Sequence, residues 1–145
     1  MFHDGSYFEG TYVNGAKNGY GRFMWVDNSQ YEGNFRNNEI DGFGRYVWAD
    51  GRSYTGYWKK NKMHGDGEFK WRDGRRYTGP YVNDKKEGYG VFEWPDGRKY
   101  EGGWLEGKQH GRATYTNNKG VVKAGIWENG KRKRWMSTAQ AAEME

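Results

Sequence analysis

The chain contains no cysteine in its 145 residues, so disulfides and thiolate metal sites are both excluded. That composition fits a reducing compartment. Only two prolines occur, and no apolar run reaches the length of about 18 residues that a membrane-crossing helix requires. The opening Met1-Phe2-His3-Asp4-Gly5 lacks the basic and apolar regions of a secretory signal, so a cytosolic location is expected, or attachment to something that faces the cytosol. Aliphatic residues are scarce: 34% of the chain is hydrophobic, and Phe, Trp and Tyr alone supply 19%. The mean hydropathy of -1.27 would by itself lean toward disorder. The rings argue the other way, because each can bury about 150 to 250 Å².

What is abundant is glycine, at 24 residues, which disfavours helices and suits turns and close-packed strands. The net charge is +5 and the isoelectric point near 9.3. This balance favours acidic partners, without choosing among lipid, protein and nucleic acid.

The glycines and rings recur with a period of 23 residues. Tyr31-Glu32-Gly33, Tyr54-Thr55-Gly56, Tyr77-Thr78-Gly79 and Tyr100-Glu101-Gly102 align, Phe8-Glu9-Gly10 extends the series backward, and Lys123-Ala124-Gly125 opens a partial sixth copy. Counting each unit from that first ring, position five reads Tyr12, Phe35, Trp58, Tyr81, Trp104, Trp127. Position sixteen reads Phe23, Tyr46, Phe69, Phe92, Tyr115, and position eighteen reads Trp25, Trp48, Trp71, Trp94 and then Asn117. Glycines at positions twelve and fourteen, such as Gly42 and Gly44 or Gly65 and Gly67, precede each second ring cluster.

Two turns divide each unit. Asp50-Gly51, Asp73-Gly74 and Asp96-Gly97 carry the Asp-Gly signal, in which both residues tolerate positive φ. A second turn falls near Asn14-Gly15, Asn37-Asn38, Asn61-Lys62, Asn83-Asp84, Glu106-Gly107 and Asn129-Gly130. Two antiparallel strands of about six residues per unit follow, with no helix in the repeating part. Side chains alternate along a strand, so rings and glycines share one face and rings are expected to rest on bare backbone. The fold class is therefore all-β: an elongated single-layer antiparallel sheet over residues 1 to 135, with units starting near 8, 31, 54, 77, 100 and 123. Ser137 with Gln140, followed by alanines, predicts a short C-terminal helix over about 138 to 144 in a closing segment 136 to 145.

The sequence Tyr-Glu-Gly, an aromatic, a turn, Gly-x-Gly, two aromatics and Asp-Gly resembles the MORN repeat, the "membrane occupation and recognition nexus". The likeness covers Phe8 to about Trp127. Unit five departs from the pattern at Ala113, Asn117 and Lys119, the sixth begins with Lys123 where a ring belongs, and Asp4-Gly5 looks like the tail of an earlier unit. The resemblance implies an open all-β strip without catalytic function that links proteins to the cytoskeleton, cilium or flagellum, cell cortex or membranes.

No constellation reads as catalytic. His64 and His110 share position eleven two units apart, about 19 Å at the strand spacing, so they cannot ligate one metal ion. Turn chemistry accounts for Asp50, Asp73 and Asp96. The Gly-x-Gly pairs lack the third glycine and following helix of a dinucleotide loop. No cofactor and no metal is expected.

Most rings read as packing, but an open strip leaves some exposed, and an exposed apolar patch marks a partner site. Tyr31, Trp48, Tyr54, Trp71, Tyr77, Trp94 and Tyr100 are expected to floor a groove for an amphipathic helix, another sheet edge or a second copy of the chain. Tyr20, Phe43 and Tyr89, at position thirteen, fall on the other, polar face. The alternative site is basic: Arg52, Arg75, Arg76, Arg98 and Lys99 after the turns, with Lys131, Arg132, Lys133 and Arg134, would meet anionic phospholipid at about 1 kcal/mol per residue. The plainer reading is that edge cations prevent sheets from joining. Nucleic acid is not expected, because the rings are committed to packing.

Overall fold

The computed structural model describes residues 4 to 137. Within them thirteen strands form one antiparallel sheet in chain order: β1 Tyr7–Val13, β2 Ala16–Met24, β3 Gln30–Arg36, β4 Glu39–Val47, β5 Ser53–Lys59, β6 Lys62–Lys70, β7 Arg76–Val82, β8 Lys85–Lys86, β9 Gly88–Glu93, β10 Lys99–Leu105, β11 Lys108–Thr116, β12 Val122–Glu128 and β13 Lys131–Trp135. The short β8 pairs with β7 alone, and no helix occurs among the described residues. The helix expected over 138 to 144 lies outside the described residues. Pairing runs on past β13, since Met136 N donates to Ala124 O at 2.8 Å.

The turns exchange the roles the sequence suggests. Both residues adopt positive φ at Asn37 (49°) and Asn38 (71°), Lys60 (48°) and Asn61 (67°), and Asn83 (48°) and Asp84 (69°). These are the two-residue hairpin turns, and the middle one lies a residue earlier than the Asn61-Lys62 expected. At the Asp-Gly turns only glycine is left-handed, as at Gly51 (93°) and Gly74 (98°). There Gly51 N donates to Trp48 O at 3.0 Å, and Asp50 accepts from Arg52 N at 3.1 Å. The two-residue turns also join neighbouring units. Asn61 N donates to Ile40 O at 2.9 Å while Ile40 N donates to Asn61 Oδ1 at 2.8 Å; Asn38 with Lys17 and Asp84 with Met63 repeat the pair.

Each of three hairpins bulges once on its second strand: the single residue between Gly33 and Phe35, Gly56 and Trp58, or Gly102 and Trp104 faces three between Ile40 and Gly44, Met63 and Gly67, or Gln109 and Ala113. The bulge leaves one backbone carbonyl out of the ladder. The two-residue turn sets position five opposite position ten, as in Phe35 with Ile40 and Trp58 with Met63, so the aliphatic side chains join the ring face, and the bulge sets position three opposite position fourteen, as in Gly33 with Gly44. On the other face, Glu9, Arg22, Glu32 and Arg45 stand in consecutive register with alternating charge, a favourable cross-strand arrangement.

Candidate protein-binding face

Position one supplies the floor of the packing. Tyr31, Tyr54, Tyr77 and Tyr100 have no exposed surface (0%). Tyr31, Tyr54 and Tyr77 lie where two glycines of the hairpin oppose, and Tyr100 where Gly102 opposes Ala113: a Cβ added at Gly44 would stand 2.1 Å from Tyr31 Oη, and one at Gly67 would stand 2.2 Å from Tyr54 Oη. A buried hydroxyl needs a partner. It finds the carbonyl three residues on, which in units two, three and five faces the bulge: Tyr31 Oη donates to Asn34 O at 2.9 Å, Tyr54 Oη to Tyr57 O at 3.0 Å and Tyr100 Oη to Gly103 O at 2.6 Å, while Tyr77 Oη donates at 2.9 Å to Pro80 O, which also accepts from Glu87 N at 3.1 Å. Burial pushes all four hydroxyls well above the ordinary tyrosine value.

Position five stands edge-on to these rings. Tyr54 meets Trp58 at 5.1 Å and 86°, and Tyr81 of the next unit at 5.4 Å and 89°. The alternation continues from Tyr31 to Trp127 in the edge-to-face geometry aromatic pairs prefer. Four of the seven residues expected to floor the groove are therefore beyond the reach of a partner. The tyrosines lie under the position-five rings rather than open to solvent.

The other three, Trp48, Trp71 and Trp94, keep part of their surface. With Trp25 they alternate with the position-sixteen rings in one continuous ribbon. Centroid separations run Phe23 to Trp25 4.4 Å, Trp25 to Tyr46 5.2 Å, Tyr46 to Trp48 4.5 Å, Trp48 to Phe69 5.3 Å, Phe69 to Trp71 4.5 Å, Trp71 to Phe92 5.3 Å and Phe92 to Trp94 4.5 Å.

An arginine borders each of the last three tryptophans. The guanidinium carbons of Arg52, Arg75 and Arg98 lie 5.1 Å from the ring centres of Trp48, Trp71 and Trp94, and their Nε atoms donate to Asp50, Asp73 and Asp96 at 2.8 to 2.9 Å. The backbone N–H groups of Arg52 and Arg98, ahead of the guanidinium charges, hold the Asp50 and Asp96 carboxyls below the ordinary value. Three further cations of the basic set are also paired: Arg76 with Glu93, Lys99 with Glu101 and Lys133 with Glu128. Arg132 lies 4.3 Å from the Trp135 ring centre, and Lys131 and Arg134 are exposed. The turn basic residues thus form neutral pairs rather than an uncompensated positive edge.

Some features escaped the sequence reading. Lys86 sits at position ten, where Ile40 and Met63 are apolar, with its Nζ 5.4 to 5.5 Å from the ring centres of Trp71, Tyr77 and Trp104. Burial, then the nearby Arg75 charge, lowers its pKa. His64 Nδ1 accepts from Asn83 N at 3.3 Å, a turn-bracing task. On the opposite face Tyr20, Phe43 and Tyr89 are exposed as parity placed them, and Tyr57 joins them, 5.3 Å from Phe43. Its position-four parity could have identified it. At the far end Trp135 crosses over Gly125, where a Cβ would meet its ring at 3.0 Å. It replaces from the second strand the ring that Lys123 does not supply.

The MORN repeat family matches residues 8–30, 31–51, 54–75, 77–97 and 100–122. No curated protein matches the chain. Five consecutive matches in the register of the hairpins cover most of the sequence, and the chain belongs to the MORN-repeat family.

Proposed function

We propose that the chain is a non-catalytic scaffold whose tryptophan ribbon receives a helical segment of a protein partner. Repeats of this family are associated with membrane- and protein-binding adaptor roles. The observation that carries the reading is the ribbon itself, unbroken from Phe23 to Trp94 with its tryptophans half-buried. Successive tryptophans are two strands apart, about 10 Å at the usual strand spacing. A helix laid along the array repeats its face every seven residues, about 10.5 Å, so apolar residues at heptad spacing meet one tryptophan each. The arginine-aspartate pairs beside Trp48, Trp71 and Trp94 supply the polar rim that partner-binding faces carry. Partners at the cell cortex, cytoskeleton or cilium fit this role.

Co-purification from the native cell tests it, with the full chain compared against Trp48→Ala/Trp71→Ala and against Phe43→Ser/Tyr57→Ser on the opposite face. The tryptophan variant is expected to lose partners while retaining its strand circular dichroism. Loss with the opposite-face variant instead would overturn the assignment.

Anionic lipid is the second reading, favoured only by the cations of β13, since the turn arginines hold acidic partners. Flotation with phosphoinositide vesicles at physiological salt is expected to fail. Flotation that disappears with Lys131→Glu/Arg132→Glu would favour lipid.

A further inference from the structure

The ring ribbon stops at one place. After Trp94 the next position-eighteen residue is Asn117, and its side chain serves the turn, its Oδ1 accepting from Lys119 N at 2.8 Å and Val121 N at 3.0 Å. Tyr115 has no position-eighteen tryptophan beside it, and Val121 stands where the preceding three units carry the stacked arginine. The cap has meanwhile brought Trp135 across to the ring face, 6.4 Å from Tyr115 and 6.0 Å from Trp127.

Between the ribbon's last tryptophan and this cap lies a pocket of about 300 Å³, walled by Trp94, Tyr115, Trp127 and Trp135 and reached by Arg98 and Arg132. Its size is at the lower limit for ligand sites, suited to one large side chain rather than an extended small molecule. Position ten, filled by Ile40 and Met63 in units two and three, is here Gln109, which brings an amide to the same wall. Arg98 is held by Asp96 and carries a donor fork into the site. Arg132 stacks on Trp135 and has no carboxylate within ion-pair distance among the described residues. The pocket therefore combines a ring-sized space between aromatic walls with a guanidinium at its mouth that is stacked on Trp135 and holds no ion pair among the described residues.

We infer that this pocket is an anchor site for a protein partner, taking one aromatic side chain, foremost tryptophan, from a segment that carries a carboxylate beside it. The entering ring extends the stack between Trp94 and the cap, where the array carries Asn117 in place of a position-eighteen tryptophan, and the carboxylate meets Arg132 in the geometry guanidinium favours. Aromatic anchors in desolvated pockets carry a large share of interface energy, and a matched charge selects among candidate rings. The assignment rests on the reading that the ring face takes protein, but its site lies past the Trp48 and Trp71 ribbon and is tested apart from it.

The probe is an acetylated, amidated peptide with one tryptophan between two glutamates, titrated into the full chain while the protein indole N–H resonances are followed. Shifts at Trp94, Trp127 and Trp135, with none at Trp25, are expected. The peptide with lysines in place of glutamates should bind about tenfold more weakly, as should the glutamate peptide to Arg132→Glu. Asn117→Trp, which supplies the missing ring from within the chain, should abolish binding. If that variant does not fold, Gln109→Trp, directed at the same wall, takes its place. Absence of shifts up to about 1 mM peptide, or equal affinity for the lysine peptide, overturns the assignment. Shifts confined to Trp48 and Trp71 overturn it too while leaving the ribbon reading in place. Inositol trisphosphate displacing the peptide at equal concentration would assign the arginines to a phosphate ligand and also overturn it.

Discussion

Tyr54 Oη donates to the carbonyl of Tyr57 at 3.0 Å, joining a fully buried ring to the one backbone oxygen that the strand bulge leaves out of the ladder. Tyr54→Phe keeps the ring and orphans that oxygen, so a loss of about 1 to 2 kcal/mol is expected in urea unfolding. A change of only a few tenths would mean that water replaces the hydroxyl.

Glycines two residues apart should respond to substitution for different reasons. At Gly67 an alanine Cβ would stand 2.2 Å from Tyr54 Oη, and displacing that ring should lower stability by about 3 kcal/mol. At Gly65 the Cβ would point to Tyr57 Cβ at 3.2 Å and touch none of the buried rings, but φ is +101°. Gly65→Ala should lose about 1 to 2 kcal/mol through backbone strain alone. Near-ultraviolet circular dichroism separates them: the aromatic signal should change with Gly67→Ala and persist with Gly65→Ala.

The buried tyrosines predict a sharp alkaline limit. Their folded pKa values lie above the unfolded value of 10.0, so the neutral ring is the form the fold retains. Their contribution is complete below pH 10.0 and is lost above it, each contributing up to about 1.4 kcal/mol per pH unit. Tyrosinate absorbance from these rings should rise together with loss of strand circular dichroism. A smooth rise with the sheet intact would refute their burial.

Lys86 offers a test of burial against ring contact. Its ammonium lies among Trp71, Tyr77 and Trp104, where attraction to the rings opposes desolvation of the charge, and burial lowers its pKa. Lys86→Met copies Met63 of the preceding unit and should raise stability by about 1 kcal/mol, read as a higher melting temperature. A lower one would show that the ring contacts outweigh burial.

The 23-residue period made the strand pairs and shared face of rings and glycines readable, because alternation forces position one and position three to the same side. What it did not contain was depth. Tyr54 and Trp71 look alike as ring columns, yet one is covered and the other half open, because the β6 bulge opposite Tyr57 lets the Tyr54 ring lie over Gly67 with Trp58 edge-on above it. Parity treats strands as regular, and the bulge is where regularity fails. The turn arginines misled for a related reason: Arg75 reads as a cation until Asp73 and Trp71 are seen to hold it. The turns fall where the Asp-Gly pairs place them, but their geometry differs from a two-residue hairpin because Asp-Gly sits in a five-residue loop, which asks for positive φ from glycine alone. The role of Trp135 was hidden because it depends on a smaller bulge: the last hairpin inserts one extra residue where earlier ones insert two, which sets Trp135 opposite Gly125.

A sheet laid down in strict chain order has a kinetic corollary. The bonds bracing Lys17 to Asn38, Ile40 to Asn61 and Met63 to Asp84 each close only 21 residues, so no distant segments must find one another. All-β proteins are usually slow to assemble because their contacts are remote in sequence. Here any hairpin can serve as a seed for its neighbours, and assembly proceeds like a zipper from wherever it begins.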